Sequence, residues 1–184
     1  MEIIHTPFEG LVVLKPNLHL DNRGYFFESF SQRDFESFVA QIIFVQDNEV
    51  SSKYGVIRAF GFQIGDNAQS KLIRCVSGKI LDVVIDVRKD SATFGQSYSI
   101  ELSNENRLQL FIPKGFAHGY SVLEDNTIIN YKTDEYYNPQ AECSFLWNDP
   151  NLDIDWKLDD KDIIVSPRDA KSKSYKEVIK SLFI

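Results

Sequence analysis

The chain has 184 residues, a length that favours one domain, here residues 1–184, with a substantial core. Hydrophobic residues make up 43% of the chain and aromatic residues 13%, which excludes an intrinsically disordered protein. The formal net charge is −7 and the acidic residues are dispersed, whereas nucleic-acid-binding proteins carry basic stripes, so no nucleic-acid partner is expected. A phosphate group would have to be held by a few locally placed arginines and lysines.

Cysteine usage and the first residues indicate the compartment. The two cysteines, Cys75 and Cys143, are too few for a disulfide framework, so a reducing environment is the simpler interpretation. The opening MEIIHTPFEG has no basic region followed by an apolar one, and no run approaches the ~18 apolar residues of a membrane span. We therefore predict a soluble, cytoplasmic protein with no membrane partner.

Short strand-like segments, rich in β-branched and aromatic residues, follow one another along most of the chain. In chain order they read LVVLKP, GYFFESF, QIIFVQDN, GVIRAFGFQ, KLIRCVSGKILDVVIDV, QSYSIELS, RLQLFIP, GYSVL and NTIINYKT. The Ser77–Gly78 pair predicts a hairpin turn. Two segments read as helices: SQRDFESFVAQ, with Ser31 as its expected cap, and the C-terminal KSYKEVIKSLF. The pattern predicts an all-β sandwich or barrel with two short peripheral helices.

Several polar residues interrupt otherwise apolar strands and are the candidates for a binding site. They are Arg58, Lys71, Arg74, His118, Tyr131 and Lys132. A single charge in a strand more often lies on a solvated face, but cations on several neighbouring strands can together hold a diphosphate. The mouth of a barrel, lined by inward-facing side chains, is where such residues would meet a ligand.

Metal and nucleotide-cofactor chemistry lack support in the sequence. The three histidines, His5, His19 and His118, form no HxH or HxxxH pair, so no metal is expected. His118 is then either a hydrogen-bonding residue of the barrel wall or a ligand contact. No P-loop, GxGxxG or GxSxG motif is present. The remaining cations, tyrosine and carboxylates suit proton transfer beside a carbonyl with no cofactor.

Long motifs follow one another in order between about residues 5 and 165. They are DNRGYFFESF, FVQDNEVSS, GVIRAFGFQ…NAQSKLIRCVSGKILDVVIDVRKDSATFG, LSNENRLQLFIPKGFAHGY, YKTDEYYNP and WNDPNLDIDW. This series resembles the dTDP-4-dehydrorhamnose 3,5-epimerase family, the metal-free sugar-epimerase branch of the cupins. The resemblance implies a cupin-type jelly-roll barrel and a homodimer with sites shared across the interface. It further implies a nucleoside diphosphate 4-keto-6-deoxy sugar as ligand and a role in deoxysugar biosynthesis for cell-surface polysaccharide or O-antigen.

The same resemblance implies a role for each matching residue. For substrate binding it implies that Arg23 and Glu28 reach the nucleotide from the neighbouring subunit and that Tyr137 lies beside the nucleotide. Gln46, Asn48 and Arg58 would bind the diphosphate and nearby groups. His118 would contact the phosphate or the sugar. For catalysis it implies Tyr131 as the acid, Lys71 as the cation that stabilises the enolate oxygen, and Asp162 as the carboxylate that orients a histidine base.

One position departs from the family pattern. In the family this strand ends in Leu-His-Tyr-Gln or Leu-His-Phe-Gln, whose histidine is the general base. Here the run is Phe60-Gly61-Phe62-Gln63. Gly61 is thus implied to mark the place of a missing base, a loss that removes ~10²- to 10⁴-fold in rate.

Several outcomes of that loss are open. Tyr131 acts as base as well as acid if a nearby cation, Lys71 or Arg58, lowers the pKa of its phenol, or a water held by Asp162 relays the proton. Reduced base equipment favours epimerisation at C3 only, with a full 3,5-epimerase using a substitute base as the alternative. A non-catalytic nucleotide-sugar-binding homologue and another reaction of the keto sugar, such as isomerisation, are further alternatives. The carrier is dTDP by default, with CDP and GDP open.

Two geometric expectations can be checked. Arg58 and Gly61 are three residues apart and lie on opposite faces of an ideal strand, so a bulge or sharp twist must separate them if both line the site. Asp162 is expected to face the space above Gly61.

Overall fold

Two β-sheets face each other in the protein, and a computed structural model describes them over residues 1–183. Ile184, the last residue of the predicted domain, lies outside the described residues. The elements are β1 (Glu2–His5), β2 (Val12–Lys15), β3 (His19–Asp21), β4 (Gly24–Phe26), α1 (Gln32–Phe38), β5 (Gln46–Ser52), β6 (Val56–Gln63), β7 (Lys71–Ser77), β8 (Lys79–Asp86), β9 (Ser97–Ser103), β10 (Gln109–Ile112), β11 (Phe116–Val122), β12 (Thr127–Thr133), β13 (Glu142–Ser144), β14 (Ile164–Val165) and α2 (Tyr175–Leu182). The predicted all-β class with short helices is confirmed.

The strands are distributed between the sheets with many crossovers. The first sheet has the order β1-β2-β10-β7-β12-β5, and the second has the order β13-β6-β11-β8-β9. Strand β14 adds to β6 in parallel, and β3 and β4 form a separate hairpin. Because sequence neighbours lie in different sheets, residues far apart in the chain meet between the two sheets.

The turn at Ser77 and Gly78 does not make the predicted hairpin. Strand β7 pairs with β10 and β12 in the first sheet, whereas β8 pairs with β11 and β9 in the second. The local sequence signals a tight turn correctly, but the turn is a corner between sheets. Strand β5 also begins later than predicted, at Gln46.

Both predicted helices form where their caps place them. The Ser31 side chain accepts a hydrogen bond from the Asp34 backbone N–H, which satisfies one of the free donors at the start of α1. At α2, Ser174 and Glu177 form a reciprocal capping box. The buried side chains of these helices, Phe35 and Val178, anchor them to the outer faces of the sheets.

The principal core lies between the two sheets and is built of aliphatic and aromatic side chains. Its fully buried members include Leu11, Ile73, Val84, Leu110 and Ile129. A second apolar cluster packs α2 and the C-terminal segment against the outer face of the second sheet. No helix within residues 1–183 has the length and apolar content needed to cross a membrane.

Candidate active site

A cavity of about 760 Å³ opens between the two sheets, a size typical of small-molecule sites. The first sheet contributes Lys71 from β7 and Tyr131 from β12. The second contributes Arg58 and Gly61 from β6 and His118 from β11. The structure therefore brings together five of the residues predicted from the sequence. Each sheet forms one wall of the cavity, so a flat ligand would have residues of the first sheet on one face and residues of the second sheet on the other.

A β-bulge brings Arg58 and Gly61 to the same cavity, as expected from their spacing. On β11, His118 is the register partner of Gly61 and Tyr120 is the partner of Arg58, so two residues of β6 oppose the single Gly119. The backbone at Gly119 approaches β6 closely: a Cβ there would lie 2.8 Å from the Cβ of Ala59 and 2.9 Å from the Arg58 carbonyl oxygen. A residue without a side chain is thus required opposite the bulge.

Gly61 itself is under no such constraint. Its φ lies outside the left-handed region, and a Cβ built on it would have no heavy atom within 4 Å. The position is half-buried and lines the cavity. Neither packing nor backbone conformation explains the glycine, so its effect is to leave free volume in the cavity wall.

Lys71 supplies a cation whose protonation is easily changed. Its Nζ donates to the backbone carbonyl oxygen of Gly61 at 3.4 Å, beside the free volume. Burial lowers the pKa of Lys71 to about 8, and the negative charges of Asp82 and Glu142 limit the decrease. Near neutral pH most of this ammonium is charged, which suits stabilisation of an enolate oxygen.

Tyr131 is held as a phenol. Burial raises its pKa above the ordinary value, and the positive charge of Arg58 opposes only part of that rise. The neighbouring Tyr120 shows the same effect more strongly, with burial raising its pKa to about 12. The nearby cation thus acts in the expected direction, but burial outweighs it and the pKa of Tyr131 is not lowered overall, so the residue suits the role of acid better than that of base.

His118 forms a pair with a carboxylate that the sequence analysis did not single out. Its Nε2 is 2.9 Å from Oδ2 of Asp82, whose side chain is fully buried. Asp82 lies on β8 opposite Tyr120, diagonally across the ladder from His118. A carboxylate inside the otherwise apolar run ILDVVI was the available signal for this residue.

Charged groups surround the cavity mouth. Glu142 accepts hydrogen bonds from the Tyr137 hydroxyl at 2.6 Å and from the Arg168 guanidinium at 2.5 Å. Burial opposes ionisation of Glu142, but these hydrogen bonds hold its pKa below the usual range. Tyr137 is exposed and reaches the cavity only through Glu142.

Asp169 lines the cavity, as Glu142 does, whereas Asp162 does not, so the prediction that Asp162 faces the space above Gly61 is wrong. Strand β14 pairs in parallel with β6, with Ile164 opposite Val56, so the chain after β14 runs along β6 towards Gly61. Asp169 follows in that direction and lines the cavity. Asp162 precedes β14, and its backbone carbonyl lies against Gly55 at the opposite end of β6. It does not line the cavity, and a water relay held by Asp162 loses its basis.

The remaining predicted binding residues lie outside this cavity. Arg23, on the exposed β3–β4 hairpin, pairs with Asp21, and Glu28 lines a separate hollow of about 290 Å³ near α1. Gln46 donates to the Asn48 side chain at 2.8 Å on β5, where Asn48 is the register partner of Tyr131. The buried Asn48 Nδ2 has no hydrogen-bond partner within residues 1–183, so one donor is unused beside the site.

Comparisons with known proteins agree with the fold. The family model of dTDP-4-dehydrorhamnose 3,5-epimerase matches residues 5–177. The chain is 42% identical over 181 residues to dTDP-4-dehydrorhamnose 3,5-epimerase of Escherichia coli K12, covering 98% of this chain and 97% of that protein. It is 46% identical over 157 residues to the enzyme of the same name from Salmonella typhimurium LT2, covering 85% and 86%.

Solved structures give the same result. RmlC of Legionella pneumophila Philadelphia 1, a dTDP-6-deoxy-D-glucose-3,5-epimerase in complex with dTDP-4-keto-L-rhamnose, superposes with a TM-score of 0.93 at 39% identity, covering 98% of this chain and 96% of that chain. ChmJ of Streptomyces bikiniensis, a 3'-monoepimerase in complex with dTDP-quinovose, gives 0.89 at 29% identity, covering 97% and 90%. The cupin-type fold is confirmed by these similarities.

Proposed function

Because the chain belongs to the dTDP-4-dehydrorhamnose 3,5-epimerase family, we propose that it epimerises a nucleoside diphosphate-linked 4-keto-6-deoxyhexose at C3 only. The observation that carries this proposal is the placement of an acid and a cation on one cavity wall, facing a wall with free volume at Gly61. A C4 ketone bound between the walls has Lys71 to stabilise its enolate oxygen and Tyr131 to return a proton.

Restriction to C3 follows from the reduced equipment for proton removal. A 3,5-epimerase must remove protons at two carbons, and position 61 offers no side chain for either. A solved structure similar to this chain is of a 3'-monoepimerase, so single-site chemistry is compatible with this fold. A full 3,5-epimerase would need a second base elsewhere in the cavity.

We propose dTDP as the carrier, with CDP as the alternative. The similar solved structures hold dTDP-4-keto-L-rhamnose and dTDP-quinovose. In support, Arg58 lines the cavity and carries the cation that a diphosphate needs, and the unused donor of Asn48 lies beside the cavity on β5, opposite Tyr131. Such a substrate belongs to cytoplasmic deoxysugar biosynthesis, which we propose as the setting.

The working form is proposed to be a homodimer. The β3–β4 hairpin carries large apolar side chains that water contacts in the single chain: Leu20 is 75% exposed, Phe26 69% and Tyr25 53%. Exposed apolar area of this extent is typical of a protein–protein interface. Covering it with a second copy would bring Arg23 and Glu28 towards the partner's substrate.

Proton exchange from solvent tests the proposal. The protein is incubated in D₂O with 4-keto-6-deoxyglucose carried on dTDP and, separately, on CDP, and deuterium at C3 and C5 is followed by NMR. Exchange at C3 alone is the expected result, and exchange at both carbons would overturn the C3 restriction. Tight dTDP binding without exchange at either carbon would overturn catalysis and favour a nucleotide-sugar-binding protein, for which the free volume at Gly61 is the supporting observation.

A further inference from the structure

Two side chains at the cavity form a hydrogen bond that the roles above leave unused. His118 Nε2 and Asp82 Oδ2 are 2.9 Å apart, and within residues 1–183 the buried Oδ1 of Asp82 has no hydrogen-bond partner. A buried carboxylate with an unsatisfied oxygen is unfavourable for stability. Its position directly behind an imidazole that lines the cavity matches histidine–carboxylate pairs in which the carboxylate orients the ring.

The pair fixes which nitrogen of His118 is basic. A carboxylate only accepts hydrogen bonds, so Nε2 carries the proton and the neutral ring has its lone pair on Nδ1. Among the described residues Nδ1 has no hydrogen-bond partner, and the ring lines the cavity while its side chain is only 9% exposed. The ring is thus oriented by Asp82, and its basic nitrogen has no hydrogen-bond partner among the described residues to compete with a ligand.

The imidazole borders the volume that Gly61 leaves free. His118 and Gly61 are register partners on adjacent antiparallel strands, and side chains at such positions start ~4.5–5.5 Å apart. Tyr131 belongs to the facing sheet. An inversion at carbon needs proton removal from one face and proton return to the other, which is the arrangement that these two walls provide.

Resting on the proposed epimerase function, we infer that His118 is the general base of this chain and that Asp82 is its positioning residue. Nδ1 takes the proton from C3, the C–H electron pair forms a C3–C4 double bond, and the carbonyl pair moves onto O4, where Lys71 stabilises it. The Tyr131 hydroxyl then donates its proton to the opposite face of C3 as the ketone re-forms. The imidazolium and the phenolate return to their starting forms by exchange with solvent, so no oxidant or reductant is needed.

Lys71 is a competing base, since its Nζ lies 3.4 Å from the Gly61 carbonyl oxygen. To remove a proton, however, Lys71 must be neutral, and the cation on the first-sheet wall would then be missing when the enolate forms. The negative charges of Asp82 and Glu142 favour its charged form. The division of roles with His118 as base keeps Lys71 cationic throughout.

The substitution His118→Gln tests the assignment, because the amide keeps a donor towards Asp82 but has no basic nitrogen. Deuterium exchange at C3 is measured at saturating substrate, and dTDP affinity is measured by calorimetry. We expect exchange to fall ~10²- to 10⁴-fold with dTDP affinity changed less than ~3-fold. Unchanged exchange would overturn the assignment, as would a loss of exchange that only parallels weakened dTDP binding. No exchange with the unsubstituted protein would overturn the proposed function itself.

A second variant series separates a base from a structural support. Asp82→Asn presents an amide N–H to Nε2 and so moves the ring proton to Nδ1, a change that costs up to ~10⁴-fold in other histidine–carboxylate pairs. Gly61→His places a new imidazole in the free volume, with Gly61→Ala as its matched control. We expect Gly61→His to restore exchange at least 10-fold in both the His118→Gln and Asp82→Asn backgrounds. Restoration by Gly61→Ala as well would show that filling volume, and not a base, was missing, and would overturn the inference.

Discussion

Strand β8 carries two fully buried carboxylates that differ in almost every other respect. Asp86, at the end of the strand, accepts hydrogen bonds from the Arg88 guanidinium, Ser91 and Thr93, and both of its oxygens are satisfied. Asp82, four residues earlier, has one side-chain partner, and one oxygen has none within residues 1–183. One carboxylate holds a loop in place, and the other is positioned behind a group that faces a ligand.

The cations near the two carboxylates also differ. Burial opposes ionisation of Asp86, but the hydrogen bonds from Arg88, Ser91 and Thr93 lower its pKa to about 2. The cation next to it, Arg88, has its pKa raised by Asp86 and stays charged. The cation near Asp82 is Lys71, whose pKa of about 8 lies within the working range of an enzyme. The ion pair of Asp86 and Arg88 is thus fixed in its charged form, whereas the Lys71 ammonium at the cavity can change its protonation.

The largest expected effect comes from substituting asparagine for each of the two aspartates of β8, Asp82 and Asp86. Asp82→Asn should reduce C3 exchange ~10²- to 10⁴-fold while changing the free energy of unfolding by less than ~1 kcal/mol, since Asp82 has few partners to lose. Asp86→Asn should leave the exchange rate per folded molecule within ~2-fold. The C3 exchange rate is measured by NMR and the free energy of unfolding by denaturant titration, for both variants. If the two variants changed both quantities equally, Asp82 and Asp86 would not differ in role.

The next effect is on stability at the Asp86 end. Asp86→Asn breaks a buried charged network and should lower the free energy of unfolding by about 2–4 kcal/mol, or Tm by roughly 5–15 °C. Because the folded-state pKa of Asp86 is depressed, its contribution is present above the unfolded value near pH 4 and is lost as the pH falls through about 2. Melting curves from pH 7 to pH 2 should therefore converge for the two proteins, and a constant difference would contradict the linkage.

Two glycines, one in each region, should respond differently to alanine. Gly115, near Arg88, has φ +88° and a Cβ there would lie 2.4 Å from Arg88 Cγ, so Gly115→Ala should destabilise the protein by about 1–3 kcal/mol. Gly61→Ala meets open space and should change stability by less than ~0.5 kcal/mol. Differential scanning calorimetry of the two variants measures this, and comparable losses would show that Gly61 is structurally required.

The smallest effect is a pH dependence confined to the cavity. The buried Lys71 has a depressed pKa of about 8, so its cation is present below pH 8 and is lost as the pH rises above it. The value of kcat/KM should then fall about tenfold per pH unit above pH 8. Lys71→Arg keeps a cation that does not titrate and should remove this alkaline limb, whatever its absolute rate. A limb that persists in the variant would belong to another group.

Local signals predicted much of this molecule from the sequence. The Ser31 cap of α1 and the helical spacing of apolar residues in α2 are both local features, so both helices could be predicted. The spacing of Arg58 and Gly61 predicted the bulge, which is confirmed, because strand alternation is also local. The corner at Ser77 and Gly78 was misread because turn residues do not show which sheet the next strand joins.

The site shows the same limit. Asp162 and Asp169 each follow a basic residue and each lies in a short 3-10 turn. Nothing in their immediate sequence shows which of them reaches the cavity, and the prediction that Asp162 does so is wrong. The parallel pairing of β14 with β6 decides which reaches the cavity, and such pairing depends on the whole chain. The pairing of His118 with Asp82 is likewise a contact between strands 36 residues apart.

The bulge at Ala59 and Phe60 bears on how proteins of this architecture diversify. The extra residue precedes position 61, and Gly119 accommodates it from the neighbouring strand, so the backbone at 61 is set without reference to its side chain. A substitution at position 61 alone can therefore add or remove a proton-transfer group while the pairing of β6 with β11 stays intact. The side chain at position 61 can thus vary without disturbing the strand pairing around it, which separates the chemistry of the cavity from the integrity of the barrel.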